Sequence, residues 1–117
     1  MLTYESLRRF VNEEKAAAGL IPLPEDFFRQ ASAYLEVKER LPPGDRWEVD
    51  SARRLLQDLL EIREKKLLLA ALFQVRGSAP PEGLAGEERT FFEKVVGAIR
   101  EFQKSRESGG VEMEILQ

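Results

Sequence analysis

The chain has no histidine and no cysteine. Without cysteine there is no disulfide, no thiolate nucleophile and no thiolate metal site. Without histidine the commonest general base, the commonest metal ligand and the ordinary pH switch are gone together. Neither G-x-G-x-x-G nor G-x-x-x-x-G-K occurs, so no glycine loop is built to cradle phosphates. The looped acidic cluster that a carboxylate-only cation site needs is missing too. These gaps predict no enzymatic activity, no cofactor and no metal. The start, Met1-Leu2-Thr3-Tyr4-Glu5, lacks the basic and apolar regions of a signal peptide, and a soluble cytoplasmic protein is expected. Asparagine occurs only at Asn12 and a third of the residues are charged, a bias compatible with a thermophilic source.

Strong charge of one sign is also missing. Residues 1–46 carry 7 basic and 8 acidic groups, residues 47–76 carry 6 and 5, and residues 77–117 carry 5 and 8. No block is basic enough to read as a footprint for a phosphate backbone. Direct DNA binding is therefore not expected. No apolar run approaches the roughly 20 residues needed to cross a bilayer.

The 117 residues suit one domain, and the pattern in them is helical. Residues 47–75 hold neither proline nor glycine, enough for about eight uninterrupted turns. A first helix is predicted over 3–18, with Thr3 as N-cap, Leu7, Phe10 and Val11 as its stripe and Gly19 as its left-handed stop. A second is predicted from Pro24, with Phe27, Ala31, Tyr34 and Leu35 on one face, ending at Pro42-Pro43-Gly44. The long third helix follows. A loop over 76–85 leads to a fourth helix over 86–105, with Phe92, Val95, Val96, Ile99 and Phe102 as its stripe. The expected fold is all-α: a four-helix domain with one long central helix. Beyond it, Ser108-Gly109-Gly110 reads as a flexible joint and residues 111–115 alternate like a strand.

Three acidic pairs, Glu13-Glu14, Glu25-Asp26 and Glu87-Glu88, invite a catalytic reading. Neighbours on a helix point about 100° apart and do not converge on a substrate. Two of the pairs stand at helix starts, where carboxylates are favoured anyway. Arg63, Lys65 and Lys66 make a small basic patch with no interleaved aromatics, so a solvated or interchain salt-bridging face is expected in place of a nucleic-acid site. Phe28, beside Phe27, either packs in the core or meets another subunit. Trp47 is either a staple over the long helix or an interface anchor. Residues 67–73 are apolar all the way round, and a helix of that kind must be covered on every side. Leu59, Ile62, Leu69 and Phe73 are therefore candidates to meet another chain, with Arg63 and Lys66 pairing acids at the rim.

Three blocks occur in one order: Leu23-Pro24-Glu25-Asp26-Phe27-Phe28, then Leu60-Glu61-Ile62-Arg63-Glu64-Lys65-Lys66-Leu67-Leu68-Leu69-Ala70, then Gly86-Glu87-Glu88-Arg89-Thr90-Phe91-Phe92. This arrangement resembles the helical, N-terminal domain of an archaeal GINS replication-complex subunit. The family starts its second helix with leucine–proline–x–aspartate–phenylalanine–tyrosine, has an arginine–x–x–lysine–leucine-like core in its long helix, and opens its last helix with acidic and aromatic residues. Phe28 stands where tyrosine is common. The resemblance covers about residues 1–105. It implies that residues 106–117 are a linker and the start of a truncated or absent β domain.

What the resemblance implies is scaffolding. Such domains pack side by side in a tetramer-type assembly, with a GINS sister subunit or with themselves. The assembly joins the MCM helicase and a RecJ-like partner, and its subunits meet the nucleoid through that complex. Two other readings stay open from the residues alone: an unrelated all-α adaptor or oligomerisation domain, and a helical nucleic-acid-binding domain.

Overall fold

A computed structural model describes residues 2–40 and 46–108. They form four helices: α1 (Tyr4–Ala16), α2 (Phe27–Glu39), α3 (Arg46–Val75) and α4 (Gly86–Ser108). There is no strand among the described residues. Helix α4 runs to Ser108, so residues 106–108, expected to begin a linker, are helical. The expected stop at Pro42-Pro43-Gly44, the glycines 109–110 of the expected joint and the strand-like residues 111–115 lie outside the described residues.

The ends of the helices show which local signals prevail. Thr3 caps α1 as expected, and Ser6 completes the exchange: the Ser6 N–H donates to Thr3 Oγ1 at 3.1 Å and the Thr3 N–H to Ser6 Oγ at 2.8 Å. The far end of α1 differs from the sequence reading. The helix stops at Ala16, Ala17 is extended, and Gly19 is not left-handed. A lysine from α3 satisfies the loose carbonyls there, as described below. Helix α2 starts at Phe27, three residues later than Pro24 suggested. Residues 24–26 form a turn closed by the Phe27 N–H on the Pro24 carbonyl at 3.1 Å. Helix α3 ends in a Schellman motif. The Gly77 N–H reaches the Gln74 carbonyl and the Ser78 N–H the Phe73 carbonyl, both at 3.0 Å, with Gly77 at φ 110°.

Helix α3 is the spine. Its first half packs Ala52 and Leu59 against Leu7 and Val11 of α1 and Phe27 and Ala31 of α2. Its second half packs Leu67 and Ala71 against Phe92 and Val96 of α4, with Leu84 closing the cluster. Salt bridges hold the far end: Lys38 meets Glu48 at 2.8 Å, and Arg53 pairs with Glu39. The described residues span 62 × 24 × 22 Å, a rod in keeping with a 30-residue helix about 45 Å long.

The loop from α3 to α4 doubles back to the middle of α3. Gly83 makes this possible. At φ 73° it holds a conformation that L residues rarely adopt, and a Cβ there would stand 2.7 Å from the Pro22 Cα. The Gly83 carbonyl accepts the Leu23 N–H at 2.9 Å, and the Gly86 N–H donates to the Glu25 carbonyl at 3.1 Å. The first turn of α4 is thereby fixed beside Arg63.

Candidate functional site

The loop brings four charged side chains together inside the molecule. Arg63 and Glu14 have no exposed surface, and Glu88 is 5% exposed. The Arg63 guanidinium forks onto Glu88, with Nε to Oε2 at 2.6 Å and Nη2 to Oε1 at 2.7 Å. Its Nη1 donates to Glu14 Oε1 and to the Ile21 carbonyl, each at 2.7 Å. Lys66, one turn on, donates to Glu14 Oε2 at 2.7 Å and lies within hydrogen-bond distance of the carbonyls of Glu14, Ala17 and Gly19. It thus caps the C-terminus of α1, where a cation also suits the helix dipole.

Two cations and two carboxylates balance. Burial alone would pull the Arg63 guanidinium down. The hydrogen bonds to Glu88 and Glu14, with their charges, outweigh it and hold Arg63 above its ordinary value. Glu88 has a second task. It is the third residue of α4, and its Oε1 accepts the N–H of Ala85 just before the helix at 3.1 Å, half of a capping box. The next residue, Arg89, grips the exposed Glu25 with Nη1–Oε1 at 3.1 Å and Nη2–Oε2 at 2.9 Å. Those hydrogen bonds and the Arg89 charge hold the Glu25 carboxyl below its usual range.

The acidic pairs now have a reading that the sequence did not supply. Glu14 and Glu88 turn inward to one arginine, while Glu13 and Glu87 face solvent. The spacing rule of 100° was sound. What it missed was a buried cation for the inward member to meet. Helical periodicity gives no hint of that partner, because Arg63 comes from a distant stretch of chain.

The expected interface residues separate into two sets. Leu59 is wholly buried in the core between α1, α2 and α3 and does not reach a surface. Arg63 and Lys66 pair acids of their own chain, so the expected rim pairing gives way to an internal joint. Leu69 and Phe73, by contrast, are 55% and 51% exposed. Ile62, partly exposed, lies on their stripe at seven and eleven residues' distance. Phe28 is half-buried, edge-on to Phe27, and lines a hollow of about 220 Å³ with Leu60, Leu67 and Phe91. Trp47 is 66% exposed at the first turn of α3, its ring edge-on to Tyr4 at 6.1 Å. Phe102, assigned by periodicity to the inner stripe of α4, instead faces out with Arg106 over its ring.

Among the described residues no group of three or more acidic side chains could hold a metal ion, and no helix is long and apolar enough to cross a membrane. A family model described as Sld5, GINS complex protein helical bundle domain, matches residues 1–107. The chain belongs to the GINS family. No curated protein and no solved structure gives a significant match. In this GINS domain the three sequence blocks meet at one place. Leu23 and Glu25 hold the loop before α4, Arg63 and Lys66 tie α3 to α1 and α4, and Glu88 and Arg89 return the contacts from α4. The blocks are far apart in sequence because each supplies one side of the same joint.

Proposed function

We propose that this chain is a non-catalytic scaffold subunit of a GINS-type DNA replication complex that associates with the MCM replicative helicase. The uncovered apolar stripe of α3 carries the reading. Ile62, Leu69 and Phe73 share one face, and Leu69 and Phe73 are more than half exposed. Fully burying such side chains yields roughly 1.5–3 kcal/mol each. Exposed together they are the kind of patch that marks a protein–protein contact. The charges that might do chemistry are bonded to one another in the joint, where they fix three helices.

The partners follow from the family. A GINS sister subunit, or further copies of this chain, covers the α3 stripe in a tetramer-type assembly. The assembled surface then joins the helicase and a RecJ-like protein, with no direct DNA contact by this domain. The test is sedimentation of the chain with a sister subunit and with MCM from the same source. A ternary complex is expected, and it should fail to form when Leu69→Asp and Phe73→Asp are combined. A wild-type chain that joins neither protein would overturn the proposal.

A further inference from the structure

Helix α4 carries a second apolar seam, one step round from the face that packs on α3. Phe92 and Val96 are buried against Leu67 and Ala71. Beside them run Phe91, Val95, Ala98 and Phe102, at steps of four, three and four residues. Phe91 is 38% and Phe102 60% exposed, Ala98 is exposed, and Val95 is partly covered. These are the alternating steps of a two-stranded helical seam.

The seam reads the same from either end: phenylalanine, small, small, phenylalanine. We propose that it is the docking surface for a second copy of this chain, with the two α4 helices antiparallel about an axis between Val95 and Ala98. Each Phe91 then lies beside the other copy's Phe102, and each Val95 beside the other's Ala98. The inference rests on the reading of the chain as an assembly subunit. The orientation comes from the residue order of α4.

Two further observations point to this occupant. The first is charge. Glu87, Lys94 and Glu101 follow one another at seven-residue steps along one flank of the seam. Antiparallel pairing sets Lys94 of each copy near Glu101 of the other, twice over. A parallel pair would set Lys94 against Ile99 and give it no acid. Among the described residues neither Lys94 nor Glu101 is engaged in an ion pair within the chain. The second is shape. An open hollow of about 220 Å³ beside Phe91, with Phe28, Leu60 and Leu67 as its apolar wall and Glu64, Glu87 and Glu88 along its edge, lies where the other copy's Phe102 arrives. Four side chains per copy fall short of the roughly 800 Å² per partner of a standard interface. The pairing is therefore weak on its own, in the high-micromolar range, and reinforces contacts made elsewhere in an assembly.

The test is sedimentation equilibrium of the chain alone up to high micromolar concentration, with circular dichroism to confirm the fold of each variant. The wild type should approach twice its 13.4 kDa mass reversibly. Phe102→Ser should abolish the dimer. Lys94→Glu and Glu101→Lys should each weaken it by about tenfold through like-charge contacts, and the double reversal should restore it to within about threefold. A double reversal as weak as the weaker single variant would overturn the antiparallel pairing. A dimer broken by Leu69→Asp and Phe73→Asp but untouched by Phe102→Ser would overturn the seam and leave the assembly reading standing. A chain that stays monomeric alone yet binds a sister subunit would do the same.

Discussion

Arg63 and Phe73 sit on the same helix, and the charged one is buried while the aromatic one is half exposed. The difference lies in what each meets. Around Arg63 the chain supplies two carboxylates and a carbonyl from three other segments, all within hydrogen-bond distance. Around Phe73 the chain supplies little. Helix α4 covers the Leu67 and Ala71 side of α3, and the opposite side is left to solvent or to another molecule. Burial here follows the partners that the fold can bring, and hydropathy alone does not decide it. A charge is tolerated inside when carboxylates and a carbonyl meet it, and a leucine with no neighbour stays outside.

Arg63 is the position where a substitution should cost most. Arg63→Leu would leave Glu88 buried without a cation and Glu14 with Lys66 alone, a loss of about 3–5 kcal/mol in urea unfolding. Replacing the three together, Glu14→Met and Glu88→Gln with Arg63→Leu, should recover much of that loss, because the uncompensated carboxylates go with the arginine. If Arg63→Leu unfolds at the wild-type midpoint, the joint is not what holds the three helices.

The two kinds of leucine come next. Leu59→Ala empties a fully buried site and should cost about 2–5 kcal/mol. Leu69→Ala should change the stability of the isolated chain by no more than about 0.5 kcal/mol. Equal losses at the two sites, measured by the same denaturation, would remove the distinction between the core and the α3 stripe. Gly83→Ala tests the loop that delivers Glu88 to Arg63. A non-glycine residue at this left-handed φ costs about 1–3 kcal/mol, and its Cβ would also press on Pro22.

The smallest effect concerns the exposed pair that flanks the joint. Arg89 holds the Glu25 carboxyl below its ordinary 4.5, through hydrogen bonds first and charge second. A depressed folded value means that the pair contributes above about pH 4.5 and loses its contribution as pH falls through the lowered value. Glu25→Gln should therefore soften only the acid limb of the stability profile. A change in the slope near neutral pH would contradict that assignment.

Much of the architecture is legible in the residues. The uninterrupted stretch 47–75 forms one helix, shifted by a single residue at its start, and Thr3 caps α1. Less legible were the ends set by distant groups. Gly19 looked like a left-handed stop, but a lysine more than forty positions away closes α1. Pro24 suited a first helical turn, but its neighbour Glu25 is needed in the turn that binds Gly86 and Arg89. The joint was hidden for the same reason. Glu14 and Glu88 each stand beside an exposed acid, and only the tertiary fold separates the members of each pair. The seams were partly visible. Residues 67–73 announced too much apolar surface for one domain face, whereas the inner stripe of α4 masked Phe91 and Phe102 because the two series interleave.

The central claim is that the ionic joint builds the domain and the apolar α3 stripe builds the complex. The most direct measurement is titration calorimetry of the chain with a GINS sister subunit, comparing wild type with the Leu69→Asp, Phe73→Asp double variant, alongside urea unfolding of both. The variant should lose binding while its unfolding midpoint stays near that of the wild type. Undiminished binding by a variant of unchanged stability would contradict it.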